Sequence, residues 1–295
     1  MKTFQKIYTL LFTAGLIAFS AYALLDTFVV RRVYTVVENE PATETAEMEA
    51  KPQTLADKHG ETKESGVEIR LSEYREYDST IYVADVVVSS ASDLKTAFSQ
   101  SSYGRNITAA TSETAEAVGA ALAVNGDNYG SREKGYVIRN GILYRNTAAK
   151  GQEDLVIYAD GNFAIINENE ITAQELLNNG AVQVFSFGPG LVEDGVITVD
   201  ENDEVDRAKA SNPRTAIGIL GENHYVLVVS DGRTNESEGL TLYELAEFMQ
   251  RLGVQTAYNL DGGGSSTMVY QGVVINETTS GRSNGERAVT DIVYF

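Results

Sequence analysis

The chain has 295 residues, of which 43% are hydrophobic, and its formal net charge at pH 7 is −19. This negative balance argues against a nucleic-acid partner, because phosphate backbones attract basic surfaces. The chain has no cysteine and two histidines, which excludes disulfides, thiolate metal sites, cysteine nucleophiles and polyhistidine metal centres. Any catalysis must therefore use carboxylates, hydroxyls, amides, arginines or a hard cation.

The first predicted element is an apolar N-terminal helix. Residues 7–25 carry no charged side chain, and a helix of that length extends about 28 Å, enough to cross a bilayer. A cleaved signal peptide is the alternative, since Lys2 and Lys6 precede the run and Ala21-Tyr22-Ala23 resembles a cleavage site. Basic residues flank both ends, so they do not fix the orientation. We expect residues 1–37 to be a single-pass anchor in the cell membrane, with the rest of the chain outside the cytoplasm.

The next segment, residues 38–66, has the composition of a linker. It contains eight acidic residues and three lysines, and it has no aromatic residue, valine or isoleucine. Such a segment buries too little apolar surface to offset its ordering entropy. We predict an acidic disordered linker.

Residues 67–295 are rich in predicted strands. Residues 136–139 and 142–145 flank Asn140-Gly141, a strong signal for a two-residue hairpin. Residues 155–158 and 163–166 predict a second hairpin, and residues 225–230 form an apolar run typical of a buried strand. Few helices are expected among them.

The clearest helix is predicted at residues 242–252, with a shorter one at 172–179. Thr241 and Glu244 form a capping-box pattern at the start of the longer helix. Its apolar residues recur on one face, and Gly253 follows its end. We therefore predict that residues 67–295 form one α+β domain, a mixed sheet with few helices.

The most informative motif is Asn259-Leu260-Asp261-Gly262-Gly263-Gly264-Ser265-Ser266-Thr267-Met268, between two strand-like segments. Adjacent glycines allow positive φ and let backbone N–H groups converge on an anionic oxygen. Asp261 supplies charge for proton transfer, nucleophilic attack or metal binding. The alternative is a tight hairpin whose glycines serve only packing.

Four further polar segments lie at predicted strand ends beside glycine. They are Asn125-Gly126-Asp127-Asn128-Tyr129-Gly130, Pro213-Arg214-Thr215-Ala216-Ile217-Gly218, Asp231-Gly232-Arg233 and the segment around Arg287. Taken singly, each also fits an Asx turn, a surface ion pair, an Asp-Gly loop or an exposed charge. Together they are expected to converge on one pocket.

In these segments the chain resembles the phosphodiester glycosidase family, whose bacterial members are often labelled exopolysaccharide biosynthesis proteins. The resemblance runs from about residue 120 to residue 295 and is most specific in the runs at 213–218 and 259–267. It implies hydrolysis of a sugar-1-phosphodiester, such as a GlcNAc-1-phosphodiester, at the anomeric C–O bond. Ala288 stands where relatives often have proline after the arginine, which leaves Arg287 itself intact.

The implied roles are assigned residue by residue. Asp261 and Asp231, with Asp127 as third candidate, are the predicted catalytic carboxylates. Arg214 or Arg287 is expected to grip the diester anion, because a planar guanidinium pairs with two phosphate oxygens. The remaining predicted substrate-binding residues are Asn125, Gly126, Thr215, Asn259, Gly262, Gly263, Gly264, Ser265 and Ser266.

Two other functions fit parts of the pattern. An envelope protein that binds anionic glycopolymers without cleaving them would use the same pocket. A phosphatase of the actin-like ATPase class also uses Asp-x-Gly-Gly-Gly-Ser turns, but a second matching loop is absent from the sequence. We expect no required cofactor; calcium is compatible with the acidic run at 200–206, although no loop has calcium-ligand spacing.

Overall fold

The computed structural model describes residues 2–34, 61–64, 66–201, 203, 211–280 and 283–295. Most of the predicted linker and most of the acidic run at 200–206 lie outside the described residues. The predicted boundaries at residues 37 and 66 stay predictions.

Four helices and 22 strands run through the described residues. The helices are α1 (Lys2–Phe28), α2 (Thr111–Val118), α3 (Ala173–Asn178) and α4 (Leu242–Arg251). The first strands are β1 (Arg32–Val33), β2 (Glu61–Glu64), β3 (Val67–Glu76), β4 (Ser79–Val88), β5 (Lys95–Phe98), β6 (Gly104–Arg105), β7 (Leu122–Asn125), β8 (Val137–Arg139), β9 (Ile142–Arg145), β10 (Glu153–Tyr158) and β11 (Phe163–Asn167). The others are β12 (Ala181–Phe185), β13 (Gly190–Glu193), β14 (Val196–Ile197), β15 (Arg214–Gly221), β16 (His224–Ser230), β17 (Thr256–Asn259), β18 (Met268–Tyr270), β19 (Val273–Val274), β20 (Thr279–Ser280), β21 (Ser283–Asn284) and β22 (Asp291–Tyr294).

The strands form three larger sheets. The largest has eight strands in the order β14-β13-β17-β15-β16-β4-β3-β2. Two five-stranded sheets have the orders β11-β10-β12-β8-β9 and β19-β18-β7-β22-β5. The pairings between described strands are antiparallel, where the sequence predicted a mixed sheet; the strand-rich α+β class is confirmed.

Alternate side chains of β16 face two different cores, as the two-residue period of a strand requires. Val226 and Val228 pack with Leu245 and the rest of the apolar face of α4. Leu227 and Val229 point the other way, into a core shared with both five-stranded sheets. The eight-stranded sheet is therefore the central layer, with α4 on one face and the smaller sheets on the other.

The best local predictions are confirmed. Asn140 and Gly141 have φ of 51° and 77°, as a hairpin turn of this type requires, and they join β8 to β9. The Thr241 hydroxyl accepts from the Glu244 amide, and the Glu244 carboxylate accepts from the Thr241 amide, which completes the capping box. Helix α2 was not predicted.

Helix α1 is followed at once by a contact with the domain. It contains an apolar span, Thr9–Thr27, that is long enough to cross a membrane by length and composition. Strand β1, four residues after the helix, pairs with β6 so that Arg32 lies opposite Arg105. The predicted anchor segment therefore includes a strand that belongs to the folded domain.

A buried ionic cluster joins the two five-stranded sheets. Arg139 on β8 lies 2.8 Å from the Asp127 carboxylate and 2.8 Å from the Asp291 carboxylate, and its guanidinium lies over the Phe185 ring at 4.4 Å. Burial, with the neighbouring Asp127 charge, raises the pKa of Asp291 to about 7. The arginine is thus the counterion of two carboxylates that water does not reach.

We predict that Arg139→Met lowers the free energy of unfolding by about 3–5 kcal/mol, because it leaves two buried carboxylates without their counterion. Urea denaturation of the purified protein measures this change.

The matched control is Arg70→Met, which removes a guanidinium from an exposed pair with Glu68 at 3.8 Å. The expected loss there is below about 1 kcal/mol. Similar losses in both variants would contradict the structural role given to Arg139.

Candidate active site

Four predicted site residues lie at one edge of the central sheet. Arg214, the first residue of β15, pairs with Ser230, the last residue of β16. Residue Asn259, the last of β17, pairs with Ala216 near that same end. Because neighbouring strands are antiparallel, the start of β15 meets the ends of β16 and β17. Asp231 and Asp261, which follow those ends, are therefore brought to the same edge.

The side chain of Asn125 joins three chain segments behind this edge. Its amide nitrogen donates to the Asp261 carbonyl at 2.6 Å. Its amide oxygen accepts from the Thr215 hydroxyl at 2.9 Å and from the Thr267 backbone amide at 3.2 Å. Asn125 therefore fixes both ends of the glycine turn to β7 and β15.

The glycine turn is pressed between the β15 strand and two arginines. The Gly263 amide donates to the Pro213 carbonyl at 2.7 Å, and Gly263 has a φ of 62°, which disfavours a side chain. A Cβ at Gly263 would lie 3.0 Å from a terminal nitrogen of Arg233, and one at Gly264 would lie 2.8 Å from a terminal nitrogen of Arg287. The glycines thus allow guanidinium groups to pack directly on the backbone.

Several backbone amides of the turn are already engaged. Besides Gly263, the Ser265 and Ser266 amides donate to carbonyls within the turn. The sequence predicted that amides of this run would hold phosphate oxygens, and for these three the structure shows internal partners instead. Anion binding at the turn must therefore depend more on the hydroxyls and arginines.

The turn concentrates buried polar atoms that lack a partner among the described residues. These atoms are Asn259 Oδ1, Asp261 Oδ2, Ser265 Oγ, Ser266 Oγ and Thr267 Oγ1. Each such atom costs about 1–3 kcal/mol when left unsatisfied, so a cluster of five calls for a functional explanation. Such a cluster is typical of a site that binds a polar substrate through hydrogen bonds.

Asp261 has the surroundings of a reactive carboxyl group. Its side chain is buried, and burial raises its pKa, while the nearby Ser265 hydroxyl and the Arg287 and Arg132 charges act in the opposite direction. Its Oδ2 atom has no hydrogen-bond partner among the described residues. The carboxyl group is therefore held in place by its backbone and has one oxygen without a hydrogen-bond partner among the described residues.

Asp231, the second predicted carboxylate, is held more firmly. One of its oxygens accepts from the Glu277 amide at 2.8 Å and the other from the Tyr82 hydroxyl at 3.3 Å. Burial raises its pKa to about 6. The neighbouring Asn276 donates to the Ser266 carbonyl at 3.1 Å, which links Asp231 to the glycine turn.

Four predicted site residues are buried and make structural contacts inside the protein. Asn125, Asp127 and Thr215 have no exposed surface, and all make the internal hydrogen bonds described above. Asp127 also accepts from the Ser186 amide at 2.8 Å, so both its oxygens are engaged. Gly126 lies against the Asp291 carboxylate with no room for a Cβ. This geometry indicates that the four residues position the site from behind. Catalysis was expected of Asp127 and a sugar contact of Asn125, and their buried, engaged side chains do not fit these roles.

The predicted arginines differ in exposure. Arg214 is 3% exposed, and its Nε donates to the Leu240 carbonyl at 2.8 Å. Arg287 is exposed and packs on Gly264. Arg233, which ends the predicted segment Asp231-Gly232-Arg233 but received no predicted role, donates to Asn212 Oδ1 at 2.9 and 2.6 Å.

A pocket of about 420 Å³ lies beside β17 and was not predicted. Arg132, Phe187, Gly188 and Pro189 contribute to its wall, and the Arg132 guanidinium lies 5.0 Å from the centre of the Phe187 ring. The Asn259 amide nitrogen donates to the Gly188 carbonyl at 2.7 Å. This hydrogen bond connects the pocket wall to β17, the strand that leads into Asp261.

In the described part of the chain, no three His, Asp or Glu side chains are grouped to hold an ion. The expectation that no cofactor is required, with calcium as a compatible ion, stays a prediction.

The raised pKa of Asp231 predicts a pH-dependent stability. The folded state binds a proton on Asp231 more tightly than the unfolded state does. Protonation of Asp231 therefore stabilises the folded state below about pH 4, and this stabilisation is lost as the pH rises through about 6. Asp231→Asn should therefore leave stability unchanged at pH 4 and raise it by about 1–3 kcal/mol at pH 7. Denaturant unfolding at both pH values measures the difference.

Asp194→Asn serves as control, because Asp194 is an exposed turn residue with a φ of 49° that asparagine tolerates. It should show the same small change at both pH values. A loss of stability at pH 7 in Asp231→Asn would contradict a destabilising buried charge at this position.

Comparison with known proteins agrees with this geometry. The family model of the phosphodiester glycosidases matches residues 118–295. The SPbeta prophage-derived uncharacterized protein YomE of Bacillus subtilis is 32% identical over 175 residues, which cover 58% of this chain and 27% of that protein. The N-acetylglucosamine-1-phosphodiester alpha-N-acetylglucosaminidase of Mus musculus is 31% identical over 179 residues, which cover 55% of this chain and 34% of the mouse protein.

The same fold occurs in a solved structure. It is the catalytic domain of the zebrafish N-acetylglucosamine-1-phosphodiester alpha-N-acetylglucosaminidase, auto-inhibited by its pro-peptide, with a TM-score of 0.61 and 22% identity. The match covers 90% of this chain and 87% of the zebrafish one. The chain spans about a third or less of the length of the curated relatives described above. Because the family model covers more than half of the chain, the protein belongs to the phosphodiester glycosidase family.

Proposed function

We propose that this protein is an extracytoplasmic hydrolase that cleaves the glycosidic bond of a sugar-1-phosphodiester in a cell-envelope glycopolymer or glycolipid. One observation carries the proposal. The glycine turn brings together five unpartnered buried polar atoms, one of them on the Asp261 carboxyl group, and two guanidinium groups pack on its backbone. A phosphodiester linked to a sugar supplies what these groups lack, an anion for the arginines and oxygens for the hydroxyls.

The phosphate is assigned to the outer side of the turn. Arg287, like Arg233, is exposed there, and the Ser265 and Ser266 hydroxyls lie on the same turn with no hydrogen-bond partner among the described residues. A guanidinium donates two parallel hydrogen bonds to phosphate oxygens. Arg233 packs on Gly263 and adds positive charge beside the same anion.

The carboxyl groups are assigned to the sugar. In the reaction, the bond from the anomeric carbon to the phosphate oxygen breaks, and an oxygen from water takes its place on the sugar. The phosphate leaves as a monoester, which is already a good leaving group. Asp261, with one unpartnered oxygen, stabilises the positive charge that develops on the sugar or attacks it directly. Asp231, whose pKa is raised to about 6, accepts the proton that the attacking water loses near neutral pH.

Location and cofactor use complete the proposal. The apolar span Thr9–Thr27 supports a membrane anchor, with the domain on the extracytoplasmic side where envelope polymers lie. The proposed chemistry uses carboxylates and arginines, so turnover should persist in the presence of a chelator. A calcium requirement would appear as loss of turnover under the same conditions.

We predict that Asp261→Asn lowers kcat on a GlcNAc-1-phosphodiester at least about 100-fold, because it removes a carboxylate that touches the reacting sugar. Its thermal stability should stay near that of the parent, since the backbone contacts of the turn are unchanged. Release of free sugar by the full chain, followed by chromatography, measures this.

Asp127→Asn is the matched control. It removes a carboxylate from the Arg139 cluster and should lower thermal stability while the folded protein keeps its kcat. Full activity in Asp261→Asn would remove Asp261 from the mechanism. Tight binding of sugar-1-phosphodiesters without any turnover by the parent would favour the glycopolymer-binding alternative.

A further inference from the structure

The juxtamembrane segment is fixed to the domain by several contacts. Strand β1 pairs with β6, the Asn106 amide nitrogen donates to the Val30 carbonyl at 2.8 Å, and the Tyr34 amide donates to the Tyr103 carbonyl at 3.2 Å. The rings of Tyr34 and Tyr103 lie 5.6 Å apart. We call this set of contacts, between residues 30–34 and 103–106, the juxtamembrane tie.

The tie limits how far the domain can stand from the end of α1. Helix α1 ends at Phe28 and β1 begins at Arg32, and four extended residues reach at most about 14 Å. The predicted linker, residues 38–66, follows the tie in the chain, so its length does not increase this distance. If α1 crosses a bilayer, the β6 surface must lie at the bilayer surface.

Basic side chains mark this surface of an otherwise acidic protein. Arg31 and Arg32 enter the tie, and Arg105 lies opposite Arg32. The chain as a whole has a net charge of −19, and three arginines lie together here, of which Arg32 also pairs with Asp26 and Arg105 with Glu133. Basic residues next to a membrane span favour contact with anionic headgroups.

One ion pair connects the tie to the segment that lines the pocket. Arg105 pairs with Glu133 at 3.4 Å, and Arg132, the neighbour of Glu133 in the chain, lines the 420 Å³ pocket. The positive charge of Arg132 also acts to lower the pKa of Asp261.

The second wall of the site is connected to the same surface. The Ser99 hydroxyl donates to the Val289 carbonyl at 2.7 Å, and the Thr290 methyl group lies against Gly130 beside the Gly104 carbonyl. These residues lie just after Arg287 in the chain. Residues just after Arg287 thus pack near β6, the strand that pairs with β1.

We propose that the substrate is a lipid-linked sugar-1-phosphodiester in the same membrane, a refinement that rests on the proposed function. Water adds to the anomeric carbon, the bond from that carbon to the phosphate oxygen breaks, and the phosphate stays on the lipid as a monoester that takes up the proton. Enzyme and substrate confined to one surface meet at a high effective concentration, which a loose connection would reduce.

The test uses the full chain in phosphatidylglycerol-containing vesicles with two diesters of GlcNAc-1-phosphate, one with hexadecanol and one with ethanol. A flexible insert of 20 Gly and Ser residues after Val29, with a root-mean-square reach of about 25 Å, frees the domain from the bilayer. The same insert after Thr45 lies beyond the tie and serves as matched control.

We expect the Val29 insertion to lower turnover of the hexadecyl diester at least about tenfold, with the ethyl diester cleaved at the parent rate. The Thr45 insertion should match the parent on both. Unchanged hexadecyl turnover in the Val29 insertion, or an uncleaved hexadecyl diester beside a cleaved ethyl one, would overturn the membrane-substrate inference alone. Absence of turnover of both diesters in every variant would overturn the proposed hydrolase function, and this inference with it.

Discussion

The site depends on the hydrogen bonds that the Asn125 carboxamide makes. This carboxamide is buried, and it hydrogen-bonds at once to the Asp261 carbonyl, the Thr215 hydroxyl and the Thr267 amide. A buried amide with all these partners is costly to disturb, because any partner left behind would remain unsatisfied. The geometry of the glycine turn is therefore set from the protein interior, and its hydroxyl groups are left without hydrogen-bond partners among the described residues.

Electrostatics divides the arginines and aspartates into two groups. Arg139 neutralises the buried Asp127 and Asp291 behind the site, and this pairing holds the small sheets together. Arg233 and Arg287 pack on the glycine backbone, and the Arg287 charge acts to lower the pKa of Asp261, which burial raises. A site that places cations beside a buried carboxyl group suits the proposed substrate, which carries an anionic phosphate and a neutral sugar.

Sequence reasoning located the turn and the strand ends, because those signals are local. A run of three glycines after an apolar strand predicts a tight turn, and alternating or apolar runs predict where strands end. The capped helix α4 was predicted for the same reason. The residues involved could be named without knowing what lies next to them.

The role of Asp127 was not predictable in this way. Its partner Arg139 sits in a hairpin, and that arginine's other partner, Asp291, is 152 residues further along the chain. Nothing in the local pattern of Asn125-Gly126-Asp127 separates a buried counterion from a catalytic carboxylate. The two-residue strand β1 was missed because its pairing partner, β6, is equally short and neither shows a period.

The most direct test of the account is a crystal structure of Asp261→Asn with an uncleaved GlcNAc-1-phosphodiester. The account predicts phosphate oxygens within hydrogen-bonding distance of the Ser265 and Ser266 hydroxyls and of the Arg287 guanidinium, with the anomeric carbon beside residue 261. A phosphate bound away from the glycine turn, with the turn unoccupied, would contradict it.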